Sequence, residues 1–284
     1  MMMTMMVAAM LQASPLPVQA VVKSGARPKA AASAPAAHAK KPQRPRVVVD
    51  AGHGGRDPGA PLRGTSLREK DVALSVALQL GGILKERGVD VIYTRTRDTL
   101  IALDDRGRMA NEARGDLFIS VHVNAANPKW KDPGAARGFE TYFLAAAKTD
   151  DAKRVEEMEN ESVRFETEVE VPTGDPLSFI LSDMMQNEHL RESADLADIV
   201  QRHLRGVHRG PDRGVKQAGF RVLNNAFMPA VLVELGFGTN SDEAAFLTTT
   251  ARQRALAVAV ADATMEFLDR HRARVNGGMA ATAR

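Results

Sequence analysis

The spacing of hydrophobic positions changes several times along the chain, and each change marks an element. Val47, Val48 and Val49 form a short β-branched run that ends at Asp50 and opens into the glycine-rich loop Ala51-Gly52-His53-Gly54-Gly55. From Asp71 to Arg87 the apolar residues Val72, Leu74, Val76, Ala77, Leu80, Ile83 and Leu84 recur at near-helical spacing and Gly88 follows, which predicts a helix. Val89–Thr94 reads as a strand, Leu103–Arg114 as a helix, and Leu117–Val123 as a strongly apolar strand. Phe139–Leu144 and Ala230–Leu235 read as further strands, a helix is expected from about Leu177 to Arg205, and Asp242–Arg272 closes the body with helix. Continuous apolar strands alternating with helices predict an α/β fold with a mostly parallel central sheet flanked by helices on both faces.

Sites in such sheets form in loops beyond the carboxyl ends of the strands. Three strands lead to chemically capable residues: Asp50 into His53, Leu117–Val121 into His122, and Val231–Val233 into Glu234.

Charge divides the chain in two. Residues 1–46 hold seven bases and no acid, so the remainder carries a net −4 out of a total of +3. That total gives no reason to expect nucleic acid. Met1–Val22 is uncharged, and Val18-Gln19-Ala20 offers the small residues of a signal-peptidase site, so residues 1–20 read as an export signal, although the first base is only Lys23. Pro15 and Pro17 argue against a stable membrane span there. Residues 21–46, rich in Ala, Pro, Lys and Arg, read as a disordered basic linker, and 275–284 as a flexible tail. The body between them, 47–274, reads as one domain. Export would place the protein in the periplasm. Cysteine is absent, which removes disulfides, a cysteine nucleophile and thiolate zinc sites from consideration. One Trp and two Tyr are too few for a broad aromatic platform for sugars or bases.

One segment departs from the alternation. Asp150–Glu170 holds nine acids and three bases, and Val171-Pro172-Thr173-Gly174-Asp175-Pro176 then breaks the chain. It reads either as a solvated helix and loop, the usual meaning of a charge run, or as a mobile helical insertion over the site.

His53, Glu69 and His122 offer two imidazoles and one carboxylate, a donor set that binds catalytic zinc and leaves a position for water or substrate. Spacing alone leaves them open to a structural reading as well, because no single helix presents all three. A buried His is commonly a hydrogen-bonded core residue, and a Glu in the first turn of a helix is favourable with the helix dipole alone.

Five motifs in order narrow this choice: Val47-Val48-Val49-Asp50-Ala51-Gly52-His53-Gly54-Gly55-Arg56-Asp57-Pro58-Gly59-Ala60, Leu67-Arg68-Glu69-Lys70-Asp71-Val72-Ala73-Leu74, Ile119-Ser120-Val121-His122-Val123-Asn124-Ala125, Val215-Lys216-Gln217-Ala218-Gly219-Phe220-Arg221-Val222-Leu223, and Met228-Pro229-Ala230-Val231-Leu232-Val233-Glu234-Leu235-Gly236-Phe237-Gly238-Thr239-Asn240. From Val47 to about Leu268 the chain resembles the zinc-dependent N-acetylmuramoyl-L-alanine amidases of bacterial cell walls. Ala51 departs from the proline usual in that family before Gly-His, which bears on loop stiffness. The resemblance implies one Zn2+ per chain, held by His53, Glu69 and His122, with Glu234 as the catalytic base. It implies peptidoglycan as substrate, cut between N-acetylmuramic acid and L-alanine. Asn124 and Gln217 fall at motif positions that fit contact with substrate or with a metal-binding side chain.

Members that act at cell division carry an insertion whose helix occludes the site, with a Glu of that helix on the zinc. By that resemblance residues 150–192 are a regulatory insertion, Glu159 is the inhibitory ligand with Glu157 and Glu161 as competitors, and an activator protein would bind the insertion. The competing expectations are a catalytically silent peptidoglycan-binding regulator and a zinc peptidase acting on another wall amide.

Overall fold

The computed structural model describes residues 44–166 and 176–282. The expected signal peptide, and the linker up to residue 43, lie outside the described residues.

Six strands form one sheet: β1 (Arg46–Ala51), β2 (Asp90–Tyr93), β3 (Leu117–Asn124), β4 (Phe139–Leu144), β5 (Asp212–Ala218) and β6 (Ala230–Phe237). Their order is β2-β1-β3-β6-β4-β5, and every neighbouring pair is parallel except β4 with β6. The expected mostly parallel α/β sheet is therefore present.

Alternation along the strands serves both faces of the sheet. Val47, Val49, Ile119, Val121, Val231 and Val233 point to one face and pack with α1 (Glu69–Glu86), α4 (Pro176–Arg205) and α7 (Thr250–Thr282). Val48, Phe118 and Leu232 point to the other, where α2 (Leu103–Glu112), α3 (Asp150–Asn160) and the short α5 (Arg221–Asn224) lie. Both faces of β3 and β6 are buried along their whole length, which explains their unbroken apolar runs.

Four expectations are corrected. Arg46, assigned to the linker, is the first residue of β1, because its backbone N–H is held by Asp116 at 2.6 Å and it pairs with Asp90 of β2. β5 was not expected: it is an edge strand, so its residues are half-exposed and polar and carry no alternating signal. The single closing helix is two, α6 (Ser241–Leu247) and α7, with Asn240 capping α6 through the backbone N–H groups of Asp242 and Glu243. α7 also continues to Thr282, into the segment expected to be a tail. Among the described residues no helix is long and apolar enough to cross a membrane.

Candidate metal centre

The centre is assembled where β1, β3 and β6 end, and its first support is a buried ion pair beneath the β1 loop. Asp50 closes β1 fully buried and accepts hydrogen bonds from Thr94 Oγ1 (2.6 Å), Ser120 Oγ (2.6 Å) and Arg106 Nη1 (2.9 Å). Burial works against its charge, but Arg106 and the two hydroxyls outweigh it and lower its pKa. Arg106 also donates to the carbonyls of Ala51 (2.7 Å) and His53 (2.9 Å), while Arg95 donates to those of Ala51 (2.9 Å) and Gly52 (2.7 Å). Two buried guanidiniums thus hold three successive carbonyls of the loop that presents His53.

Neither arginine belongs to the motif readings above. A signal for Arg106 does exist: it lies on the buried stripe of α2 with Leu103, Gly107 and Ala110, where a charge needs a partner.

His53 sits in the left-handed region, at φ 56°. Its Nδ1 is 2.8 Å from Asp57 Oδ2, so the ring donates there and turns the lone pair of Nε2 inward. Glu69 is the first residue of α1. Its Oε1 accepts from Val123 N and its Oε2 from Ala60 N, both at 2.8 Å, so backbone donors on two loops fix the carboxylate. Close approach here requires glycine: a Cβ on Gly59, itself at φ 63°, would lie 2.6 Å from Glu69 Oε2, and one on Gly52 would lie 2.5 Å from the His122 ring.

His122, buried within β3, completes the set named from the sequence. Its Nδ1 and His53 Nε2 are each 3.0 Å from Glu69 Oε1. A fourth donor joins them from α3. Glu159 Oε2 lies 3.1 Å from His53 Nε2 and 2.8 Å from His122 Nδ1, and the four donor atoms lie within 4.8 Å of one another. Thr149 caps α3 through Ala152 N, and the helix buries Ala152, Val155 and Glu159 on one face. Helical phase therefore separates Glu159 from Glu157 and Glu161, which are exposed.

Among the described residues, His53 Nε2 and both oxygens of Glu159 are buried with no hydrogen-bond partner. Burial opposes a charge on either ring, yet Glu159 and Glu69 outweigh it and raise the pKa of His122 to about 10; that of His53 is raised too. Two imidazole nitrogens and two carboxylate oxygens that converge in a buried cluster fit a metal ion, and these four residues could hold one.

Glu234 neighbours His122 in the β3–β6 ladder. It is completely buried, and neither carboxylate oxygen has a hydrogen-bond partner among the described residues. Burial, and then the negative charge of Glu159, raise its pKa well above the usual carboxylate range.

Asn124 and Gln217 stand apart from the four donors. Asn124 donates to Glu140 Oε1 at 2.6 Å, and Gln217 donates to the Ala146 carbonyl at 2.7 Å. Glu140 is the cross-strand partner of Glu234 and is paired with Lys216 and Arg213. Nothing in the sequence singles it out, since a carboxylate inside an apolar strand has no signature until its basic partners on β5 are known.

Residues 47–266 match the family model described as N-acetylmuramoyl-L-alanine amidase. The chain belongs to this family. It is 35% identical over 233 residues to the N-acetylmuramoyl-L-alanine amidase AmiA of Escherichia coli K12, covering 81% of this chain and 78% of that one. The amidase of Clostridium difficile 630 superposes with a TM-score of 0.60 at 27% identity, covering 80% of this chain and 97% of the other. Amidase AmiC2 of Nostoc punctiforme superposes with a TM-score of 0.58 at 26% identity, covering 79% and 97%. The enzyme is accordingly a hydrolase of the amide that joins N-acetylmuramic acid to L-alanine in peptidoglycan.

Asp57 orients His53, one of the four residues that could hold a metal ion. Asp57→Asn is expected to weaken metal affinity about 10–100-fold, because an amide holds the Nδ1–H poorly and frees the ring to turn. A competition titration against a chelating dye measures this, and unchanged affinity would remove Asp57 from that role.

Proposed function

We propose that the chain is an exported zinc amidase held inactive by its own α3 and released by an activator protein. The observation that carries this reading is the position of the Glu159 carboxylate among His53, Glu69 and His122.

Zinc is the ion that fits best. The donors are nitrogen and oxygen only, hydrolysis needs no redox change, and the set of four is the usual number for this ion. Bound there, it would supply Lewis-acid polarisation of the scissile carbonyl and acidify water.

The remaining chemistry belongs to the chain. His53, Glu69 and His122 hold the ion, with Asp57 and the backbone N–H groups of Val123 and Ala60 keeping two of them oriented. Glu234, once ionised, takes the proton of the attacking water and returns it to the departing amine of L-alanine. A cation beside it favours the ionised carboxylate, against the burial that opposes it. Glu159, whose carboxylate lies among these three, would compete with water for the ion.

The insertion assigned to residues 150–192 is the segment an activator would engage, shifting the population towards a conformation in which Glu159 has left the centre. Residues 1–20 would direct export, and the periplasm would be the working compartment.

The test combines metal content with product analysis on purified peptidoglycan. One zinc per chain, and released stem peptides that begin intact with L-alanine, are expected from a chain carrying Glu159→Ala. Fragments cut within the stem would indicate a peptidase, and a zinc-loaded chain that cuts nothing would indicate a silent wall-binding regulator.

A further inference from the structure

Beside the pairing of Asp151 with Arg213 and Lys216 and the bond from Arg154 to the Ala125 carbonyl, three of the contacts that dock α3 are made to one short piece of backbone beyond the end of the edge strand. Gly219 N donates to Glu156 Oε2 at 2.7 Å, the Gly219 carbonyl accepts from Asn160 Nδ2 at 3.0 Å, and Arg221 N donates to Asn160 Oδ1 at 2.8 Å. In an extended chain the N–H and C=O of residue i and the N–H of residue i+2 face the same side, which is the pattern by which a strand receives a neighbour. Phe220, between them, is extended at φ −65° and ψ 122°, and its side chain is fully buried, so it pins the strip in place. The side chains of Glu156 and Asn160 therefore occupy the positions at which a second strand would pair.

The strip lies next to the chemistry. Asn160 directly follows Glu159, whose carboxylate is among the metal-binding donors. β5, which leads into it, is the outermost strand of the sheet.

We propose that Gly219–Arg221 is the subsite for the main chain of the stem peptide, which adds to the sheet edge as an extended segment, and that α3 blocks it by imitating that segment. This rests on the amidase reading above and adds to it where the substrate lies. Main-chain pairing suits a substrate whose side chains vary, because it recognises the peptide bond itself. One helix would then act at two points: Glu159 against the attacking water, and Glu156 with Asn160 against the peptide.

Removing a single backbone donor tests this. Arg221 is the first residue of α5, a position where proline is tolerated, and Phe220 before it already has the extended backbone that proline demands. Arg221→Pro thus deletes the N–H with little strain. Arg221→Ala is its control, since it keeps the N–H and also loses the side-chain pairing with Asp104.

The probe is a soluble stem peptide beginning with L-alanine, titrated by calorimetry into the full chain. Glu156→Ala with Asn160→Ala should bind it at least tenfold more tightly than the unaltered chain. Adding Arg221→Pro should weaken that binding about tenfold, and adding Arg221→Ala instead should change it less than threefold. Equal binding by the proline and alanine variants, or no binding by the chain lacking the Glu156 and Asn160 side chains, overturns the proposal. If Arg221→Pro fails to fold, Gly219→Ala serves: its Cβ would lie 3.2 Å from the present position of the Glu156 carboxylate and so intrude on the docked partner, again with about tenfold weaker binding expected and unchanged binding overturning the proposal. Hydrolysis of insoluble peptidoglycan separates the two readings. Peptide binding without hydrolysis would count against the amidase reading alone, and hydrolysis with unaltered peptide binding across the variants would count against this subsite alone.

Discussion

Glu234→Gln is expected to lower hydrolysis of peptidoglycan by about 10²–10⁴-fold, the range that a positioned proton-transfer group supplies. The substitution keeps the shape of the side chain and removes its ability to take a proton. It should not unfold the chain. Among the described residues Glu234 is wholly buried without a hydrogen-bond partner, so an amide of the same shape breaks no hydrogen bond there. Burial, and then the charge of Glu159, oppose ionisation there more than His122 favours it, so the loss of an ionisable group is tolerated. The rate is best read by dye release in a chain already carrying Glu159→Ala, where activity is not masked, together with metal content and the thermal midpoint. A variant with its metal and midpoint intact but full activity would remove Glu234 from the mechanism and leave it a structural residue of β6.

Glu159→Ala is expected to act in the opposite direction. A minor conformation populated at roughly 0.1–10% gains a factor of about 10–10³ when it becomes the only one, and basal hydrolysis should rise by that much. Deleting residues 152–176 is a coarser version of the same experiment, and the packing argues against relying on it. Ala152 and Val155 belong to the core beneath α3, so the deletion would uncover Tyr142, Phe220 and their neighbours. A single substitution at Glu159 leaves that core covered and removes only the carboxylate. Dye release without any partner protein gives the answer. A basal rate unchanged by Glu159→Ala, with zinc bound, would mean that α3 does not restrain the enzyme through this residue.

The two substitutions also test how the site is divided. Glu234 and Glu159 approach one centre from different sides, one from a central strand and the other from an inserted helix. Opposite signs of effect from two buried glutamates with overlapping fields would distinguish a base from a blocking ligand. A general loss of stability could not produce that pattern.

Much of this site was legible in the chain. His53 follows a β-branched run and stands among glycines, Glu69 opens a strongly periodic helix, and His122 and Glu234 lie in unbroken apolar strands. Those patterns depend on local physics: strand alternation, helical periodicity and the freedom of glycine. They therefore determined the α/β class, the approximate position of five of the strands and the residues at the strand ends.

What they did not contain was decided by contacts between distant segments. The buried arginines that hold the His53 loop come from just beyond β2 and from α2, 44 and 53 residues further along than the carbonyls of Ala51 and His53 that they reach. The lone antiparallel pair, β4 with β6, places Glu140 opposite Glu234, and no local pattern specifies strand direction. β5 was invisible because an edge strand is half wet and need not alternate. The resemblance put Glu159 ahead of Glu157 and Glu161, but which of the three enters the centre depended on which face of α3 meets the sheet. Local periodicity determined the elements and the donors. Only the tertiary structure decided which donors converge, because convergence depends on strand order and helix docking, and their energies are spread over residues far apart in the chain.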